Sequence, residues 1–153
     1  MQPLKSKPLC TIKLMVDPQI RMLGPTPFGD RRIAAVTGGT FEGERLRGTV
    51  LSGGGDWLLL RRDGVLQLDV RLIMETHDSH LIYMTYRGLR HGPADVMDRL
   101  GRGEPVDPSL YYFRTAPFFE TSSETYGWLN GIVAVGVGSR VPSGPVYDVH
   151  EVL

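Results

Sequence analysis

The sequence predicts an all-β protein, an antiparallel β-barrel or alternatively a β-sandwich, carrying one short helix. Three observations lead there. First, 19 glycines and 11 prolines make up about one residue in five of the 153, against a usual combined share of about 12%. They lie between short runs of Val, Ile, Leu, Thr, Tyr and Phe rather than in a linker, the punctuation of many strands and turns. Second, the run from Val65 to Thr76 alternates, with Leu66, Leu68, Val70, Leu72 and Met74 at one parity and Gln67, Asp69, Arg71, Ile73 and Glu75 at the other. A period of two belongs to a strand with one buried face. Third, Asp63-Gly64 separates two strand-like runs, the strongest short hairpin signal a sequence offers. Closure into a barrel or sandwich then disposes of exposed strand edges.

Taken in order, Leu9–Val16 reads as the first strand and Gly24-Pro25-Thr26-Pro27 as a loop. Arg32–Thr37 and Glu44–Leu51 read as two short strands around the glycines of GGTFEGE, and Trp57–Arg62 as a third. The long strand Val65–Thr76 is expected to pair with Leu81–Arg87 across the turn His77-Asp78-Ser79-His80. The helix is Pro93–Leu100: proline suits the first turn, Val96, Met97 and Leu100 share a side, and Gly101 follows the end. Strands at Leu110–Thr115, Trp128–Val137 and Val146–Val152 complete the count at about nine, the last introduced by the turn Pro142-Ser143-Gly144-Pro145. No repeat, low-complexity tract or composition shift divides the chain, so residues 1–153 are expected to form one domain.

Composition excludes several functions. With 17 basic and 17 acidic side chains the formal net charge is zero, which argues against nucleic acid or an anionic membrane as partner, because phosphate binding draws on a basic field. The longest apolar runs, such as Gly131–Val137, fall far short of the roughly 20 residues that cross a bilayer. The N-terminus MQPLKSKPLCTIKLM sets charges among its apolar residues and has no signal-peptide core. The expectation is a cytoplasmic protein, in keeping with the single Cys10, which cannot form an internal disulfide.

Cofactor motifs are absent. Gly53-Gly54-Gly55 opens a strand, so no helix N-terminus stands behind it to hold a phosphate. No Gly-x-Ser-x-Gly elbow occurs, and Cys10 sits in an apolar strand where a buried, inert thiol is expected. His77 and His80 flank Asp78, but a solvated hairpin turn is the better account than a metal site. No cofactor and no metal are expected.

What stands out is the polar parity of three strands. Asp69, Arg71 and Glu75 oppose the aliphatic stripe of Val65–Thr76; Tyr112, Arg114 and Glu120 share a parity on the strand from Leu110; Tyr126, Trp128 and Asn130 share one around the next. Charged groups mixed with large aromatics suit a ligand pocket, in which apolar walls take up a molecule and a few fixed polar groups orient it. Arg71 and Arg114 are the candidates to hold a carboxylate or enolate oxygen, and Glu75, Glu120 or Asp56 to move a proton. Asp69 and Asn130 would orient the ligand, and Trp57, Tyr83, Tyr112 and Trp128 would enclose its apolar body. The opposing account is ion pairs that fix strand pairing, a turn or backbone role for Asp56 and Asn130, and core roles for the tryptophans. Parity does not say which face points inward, and the pocket requires Arg71, Glu75, Arg114 and Asn130 to line one cavity.

The motifs GGTFEGERLRG, GGGDW, DGVLQLDVR with ETHD, YFRTAPFFET and YGWLN, in that order from Gly38 to Asn130, resemble a family of small bacterial and fungal proteins of unknown function, DUF3237 or UPF0311. The resemblance implies a one-domain barrel-like fold and a homo-oligomer, and brings no settled reaction. Its characteristic polar residues fall here on Asp56, Trp57, Asp69, Arg71, Glu75, Arg114, Glu120, Trp128 and Asn130. The chain departs from the family pattern at Ser79-His80 and at Ala116. Two functions are then expected: a cofactor-independent isomerase, cyclase or lyase using Arg and Glu on a small organic molecule, or a non-catalytic small-molecule binding barrel. An interaction module built on the apolar strand faces would have no cavity.

Overall fold

The alternating run forms the strand β6 (Leu66–Thr76), and its aliphatic parity points inward: Leu66, Leu68, Val70, Leu72 and Met74 are buried, while Arg71 and Ile73 are exposed. In the computed structural model, which describes residues 1–153, β6 is one stave of a closed antiparallel barrel. Asp63-Gly64 turns the chain from β5 (Gly54–Leu60) into β6, with the Arg61 N–H donating to the Val65 carbonyl and Gly64 at φ 83°. Next come β7 (Leu81–His91), β8 (Tyr112–Glu120), β9 (Ala134–Val141) and β10 (Gly144–Val152), each antiparallel to the one before. β10 pairs with β1 (Ser6–Val16), and β1 with β3 (Gly29–Glu42). β3 reaches β6 through β4 (Gly48–Val50) and β5, which lie end to end in a single stave position. The ring therefore has eight staves, with β2 (Arg21–Thr26) added beside the first half of β3. About eight strands enclose a bore that side chains can fill or that can hold one small ligand.

Several expected boundaries change. Gly24-Pro25-Thr26 belongs to β2, and the loop there is only the turn at Pro27-Phe28. Instead of two short strands around GGTFEGE there is one long β3 and a three-residue β4. The glycines inside β3 mark close approach, not a turn: a Cβ on Gly39, at φ 150°, would sit 2.3 Å from the Lys13 carbonyl oxygen of β1. The strand expected at Trp128–Val137 begins only at Ala134, because Gly127–Gly131 is a 3-10 turn. The polar parity read across Tyr126, Trp128 and Asn130 therefore has no strand to refer to. The helix α1 (Ala94–Gly101) forms as expected, with Val96 and Leu100 buried. No helix is long and apolar enough to cross a membrane.

The two halves of the barrel interior are filled differently. Toward the turn that joins β6 to β7, Ile12, Phe41, Leu46, Leu72, Met74, Ile82, Met84 and Leu129 are almost wholly buried and pack as one core. Toward the other end, where Leu100 and Gly101 of α1 reach the bore, the interior is partly hollow. The inward glycine Gly138 makes room on β9: a Cβ there would lie 2.6 Å from the Phe113 ring.

Candidate functional site

A cavity of about 140 Å³ occupies the α1 end of the lumen. Most of its wall is aliphatic or aromatic, including Leu14, Val36, Leu58, Leu68, Val70 and Phe113. Set into that wall are Arg32 of β3, Asp56 of β5, Tyr86 and Arg90 of β7, Arg140 of β9 and Tyr147 of β10. Pairing explains why Asp56 is inside: its neighbours across the sheet are Ala34 and Val70, both buried and inward.

Each polar group is held differently. The β5–β6 ladder opens after Asp56, and the Asp69 N–H donates to Asp56 Oδ1 at 3.0 Å instead of to a backbone carbonyl. That bond favours the carboxylate, but burial outweighs it and pushes the Asp56 pKa up to about 7. The Tyr86 and Tyr147 rings meet edge to face with centroids 5.2 Å apart, and neither hydroxyl meets hydrogen-bond geometry with any group, each having the other as its polar neighbour. Burial raises the pKa of both, keeping them neutral donors. Arg90 lies over the Phe113 ring at 5.6 Å with its Nε buried and unpartnered; burial first, and then the like charge of Arg140, lower its pKa. Arg32 meets Asp30 at 3.1 Å, and its Nε and Asp30 Oδ1 are both buried without partners. Buried polar groups in folded proteins are overwhelmingly hydrogen-bonded, so this concentration of free donors and acceptors around one cavity is unusual.

The lumen shares a wall with an outer cleft. Arg32, Leu66, Arg90 and Gly101 also line a cleft of about 660 Å³ between α1 and the β5–β6 hairpin, where Asp63, Asp98 and Arg102 sit.

Of the candidate site residues named from the sequence, Asp56 alone faces this cavity. Trp57, Asp69, Tyr112 and Arg114 come together on the outer wall, in a groove of about 680 Å³ shared with Phe28, Arg31 and Arg87. Tyr83 and Glu120 are cross-strand neighbours in another shallow recess, and Glu75 lies in a third with His77 and Arg47. Arg71 is exposed, its guanidinium 5.4 Å from the Trp57 ring. Arg71, Glu75, Arg114 and Asn130 thus share no cavity. The mixture of charge and aromatic surface on the outer wall has a local cause, guanidinium stacking: Arg114 lies 5.2 Å from the Tyr112 ring and Arg45 4.2 Å from Trp128. The Asn130 amide brackets Thr121, accepting from its N–H at 2.8 Å and donating to its carbonyl at 3.0 Å.

His77 and His80 approach Asp78 at 3.9 and 3.8 Å, and Asp78 also accepts from the Tyr126 hydroxyl at 2.7 Å. No group of three His, Cys, Asp or Glu side chains gathers around a possible metal position. Cys10 is buried, and burial pushes its pKa up to about 12.

Arg32, Tyr86, Arg90 and Tyr147 escaped the parity argument because each lies at the apolar parity of its strand. Arg140 lies past the expected strand end at Val137, and Val133, Val135 and Val137, whose parity reads as the apolar face, point outward while Ala134, Gly136 and Gly138 point in. A signal was present: Arg90 follows Ile82, Met84, Tyr86 and Gly88 at intervals of two, and Arg140 follows Ala134, Gly136 and Gly138. A charged residue that continues an apolar parity has to be placed in the interior or at its rim.

Residues 4–152 match the family described as a protein of unknown function, DUF3237. The chain belongs to the DUF3237 family. A UPF0311 protein of Rhodopseudomonas palustris is 37% identical over 150 residues, covering 98% of this chain and 97% of the relative. One from Clostridium acetobutylicum is 32% identical over 142 residues, covering 93% and 90%. Among solved structures, a conserved protein of unknown function from Rhodopseudomonas palustris superimposes with a TM-score of 0.96 at 37% identity, over all of both chains. A protein from Acinetobacter baumannii described as β-barrel like gives 0.87 at 39% identity, over 100% of this chain and 98% of that one. The fold extends further, to a Penicillium herquei protein described as an enzyme, at a TM-score of 0.75 and 21% identity over 100% and 97%. As a DUF3237 member the chain is a β-barrel protein of a family without an assigned activity.

Proposed function

We propose that this protein is a cofactor-independent enzyme acting on a small organic molecule inside the barrel lumen, an isomerase, cyclase or lyase in which Asp56 moves the proton. The observation that carries this is the convergence of Asp56, Tyr86, Arg90 and Tyr147 from three strands on one largely apolar cavity, with the tyrosine hydroxyls and Arg90 Nε unpartnered. A carboxyl with a pKa near 7 is populated in both protonation states at neutral pH, which suits a group that takes a proton and returns it. Its Oδ1 is fixed by the Asp69 N–H, leaving Oδ2 for the substrate.

The proposed step balances without an oxidant or reductant. Asp56 carboxylate removes a proton from a carbon next to a carbonyl, and the electron pair moves onto the carbonyl oxygen. The Tyr86 and Tyr147 hydroxyls stabilise that developing oxyanion in a site of low dielectric. In an isomerisation of a β,γ-unsaturated carbonyl compound Asp56 returns the proton to the γ-carbon of the dienolate. In a lyase the carbonyl re-forms as the electron pair makes a C=C bond and breaks the bond to a leaving group on the β-carbon, which takes the Asp56 proton. In a cyclase the enolate carbon adds to an internal carbonyl, whose oxygen takes that proton. The roles first assigned by parity to Arg71, Arg114, Glu75 and Glu120 pass in this reading to Tyr86, Tyr147 and Asp56.

The test is solvent exchange. A panel of enolisable one-ring ketones and 1,3-dicarbonyl compounds is incubated with the protein in D2O and followed by NMR. Deuterium uptake is expected with the wild type and at least a hundredfold slower with Asp56→Asn, which is otherwise isosteric. Uptake that survives Asp56→Asn, or compounds that bind without exchanging, leaves the non-catalytic binding barrel.

A further inference from the structure

Resting on the reading of the lumen as the ligand site, we infer that its ligand is a small organic carboxylate, held at the α1 end by Arg90 and Arg140 with its apolar body directed inward to Asp56. The argument is one of charge. Three guanidinium groups line the cavity against one carboxylate, Asp56. Arg32 has its counter-ion in Asp30 at 3.1 Å, whereas Arg90 and Arg140 have no carboxylate within ion-pair distance. Buried or half-buried cations are normally paired, because leaving one uncompensated is strongly unfavourable. Asp56 does not supply the missing partner, since neither guanidinium comes within ion-pair distance of its carboxyl. The carboxylates of the outer cleft are committed elsewhere or peripheral: Asp63 is bonded to Arg61, and Asp98 lies on the exposed rim of α1. A bound anion is what completes the site.

Size and polarity fix the remainder of the ligand. A cavity of about 140 Å³ matches the roughly 150 Å³ apolar cavities that accept a single benzene ring. Arg90 lines both cavity and cleft, while Asp56, Tyr86 and Tyr147 line the cavity alone. The charged end of the ligand is therefore placed on the side of the cleft and its apolar, reacting end at the carboxyl and the two hydroxyls. Two guanidinium forks suit the planar carboxylate better than a point charge would.

Benzoate and its uncharged isostere benzamide distinguish the possibilities, titrated by calorimetry and by melting temperature into wild type, Arg90→Gln and Arg114→Gln. The expected result is benzoate binding at least tenfold tighter than benzamide, with the preference lost in Arg90→Gln and kept in Arg114→Gln, and weakened by added salt. Should Arg90→Gln fail to fold, Arg140→Gln, which removes the neighbouring guanidinium on the cavity wall, is expected to reduce the preference in the same direction. Equal affinity for the two probes, unaffected by Arg90→Gln, overturns the carboxylate assignment while leaving the lumen as a site for neutral molecules. A preference lost in Arg114→Gln instead places the anion in the outer groove and overturns it. Binding of neither probe at millimolar concentration overturns both this assignment and the lumen reading.

Discussion

The two halves of the barrel interior come from the same strands yet follow different rules. β7 gives Ile82 and Met84 to the closed half and Tyr86 and Arg90 to the half beneath α1. The closed half contains fully buried apolar side chains and stabilises the fold by removing area from water, at roughly 25 cal/mol per Å². The other half buries a carboxyl, two hydroxyls and parts of two guanidinium groups around a cavity, with most of them unpartnered. An arrangement that sacrifices stability locally, in a fold that is well packed elsewhere, is what the proposed ligand site would require.

The sharpest way to expose that contrast is pH. Asp56 titrates near its ordinary value of 3.8 when unfolded and at about 7 when folded. Between these values the folded chain binds more protons than the unfolded one, so this group makes stability fall as pH rises. Its contribution is complete below about pH 4 and lost above about pH 7, and a shift of this size corresponds to roughly 4 kcal/mol as an upper bound. Asp78, held down to about 2 by the Thr76 and Tyr126 hydroxyls, acts in the opposite direction and only below that window. Denaturant unfolding at pH 4.5 and 8 is expected to show a fall in wild-type stability that Asp56→Asn largely removes. A wild-type curve parallel to that of Asp56→Asn would mean that the carboxyl is solvated.

In the closed half the large effect comes from shape instead. Leu72 has no exposed surface, and Leu72→Ala is expected to cost about 3 kcal/mol by lost burial and residual cavity. For a chain of this length that lowers the melting temperature by roughly 6–12 °C, with no dependence on pH between 4.5 and 8. The opposite sign is expected beneath α1. Tyr147→Phe removes a buried hydroxyl that has no partner, so the folded protein should be unchanged or up to about 1 kcal/mol more stable, while binding of any lumen ligand weakens. Destabilisation by Tyr147→Phe would reveal a hydrogen bond in the free protein and weaken the case for a donor held ready.

How much of this was legible in the sequence follows from what strand parity encodes. The aliphatic stripe of β6, the Asp63-Gly64 hairpin and α1 were all readable, because local periodicity and turn chemistry determine them. Gly39 misled, since a glycine required by the approach of β1 looks in sequence like one required by a turn. The site suffered from a different ambiguity. Parity separates two faces but does not contain the closure of the ring, and the aromatic and charged face looked like a pocket lining when it is the outer wall. Asp56 was legible as a proton-transfer candidate, although its surroundings were not. Arg90 and Arg140 become interior only when β7 and β9 curve around the same bore.

The outer wall supplies the smallest effect and the control for all the others. Arg71 stacks on Trp57 and Arg114 on Tyr112, both arginines being exposed and without a carboxylate partner within ion-pair distance. Exposed guanidinium–aromatic contacts contribute about 0.5–1 kcal/mol, so Arg71→Ala and Arg114→Ala should each lower stability by no more than that, measured by urea unfolding. The two substitutions lie on β6 and β8 without a shared partner, and the double variant is expected to be additive. Neither should alter the pH dependence that Asp56 produces, because neither guanidinium lines the lumen. A change in that dependence on removing Arg114 would mean that the outer groove and the lumen communicate through the wall between Asp56 and Asp69, where the carboxyl already accepts the backbone N–H.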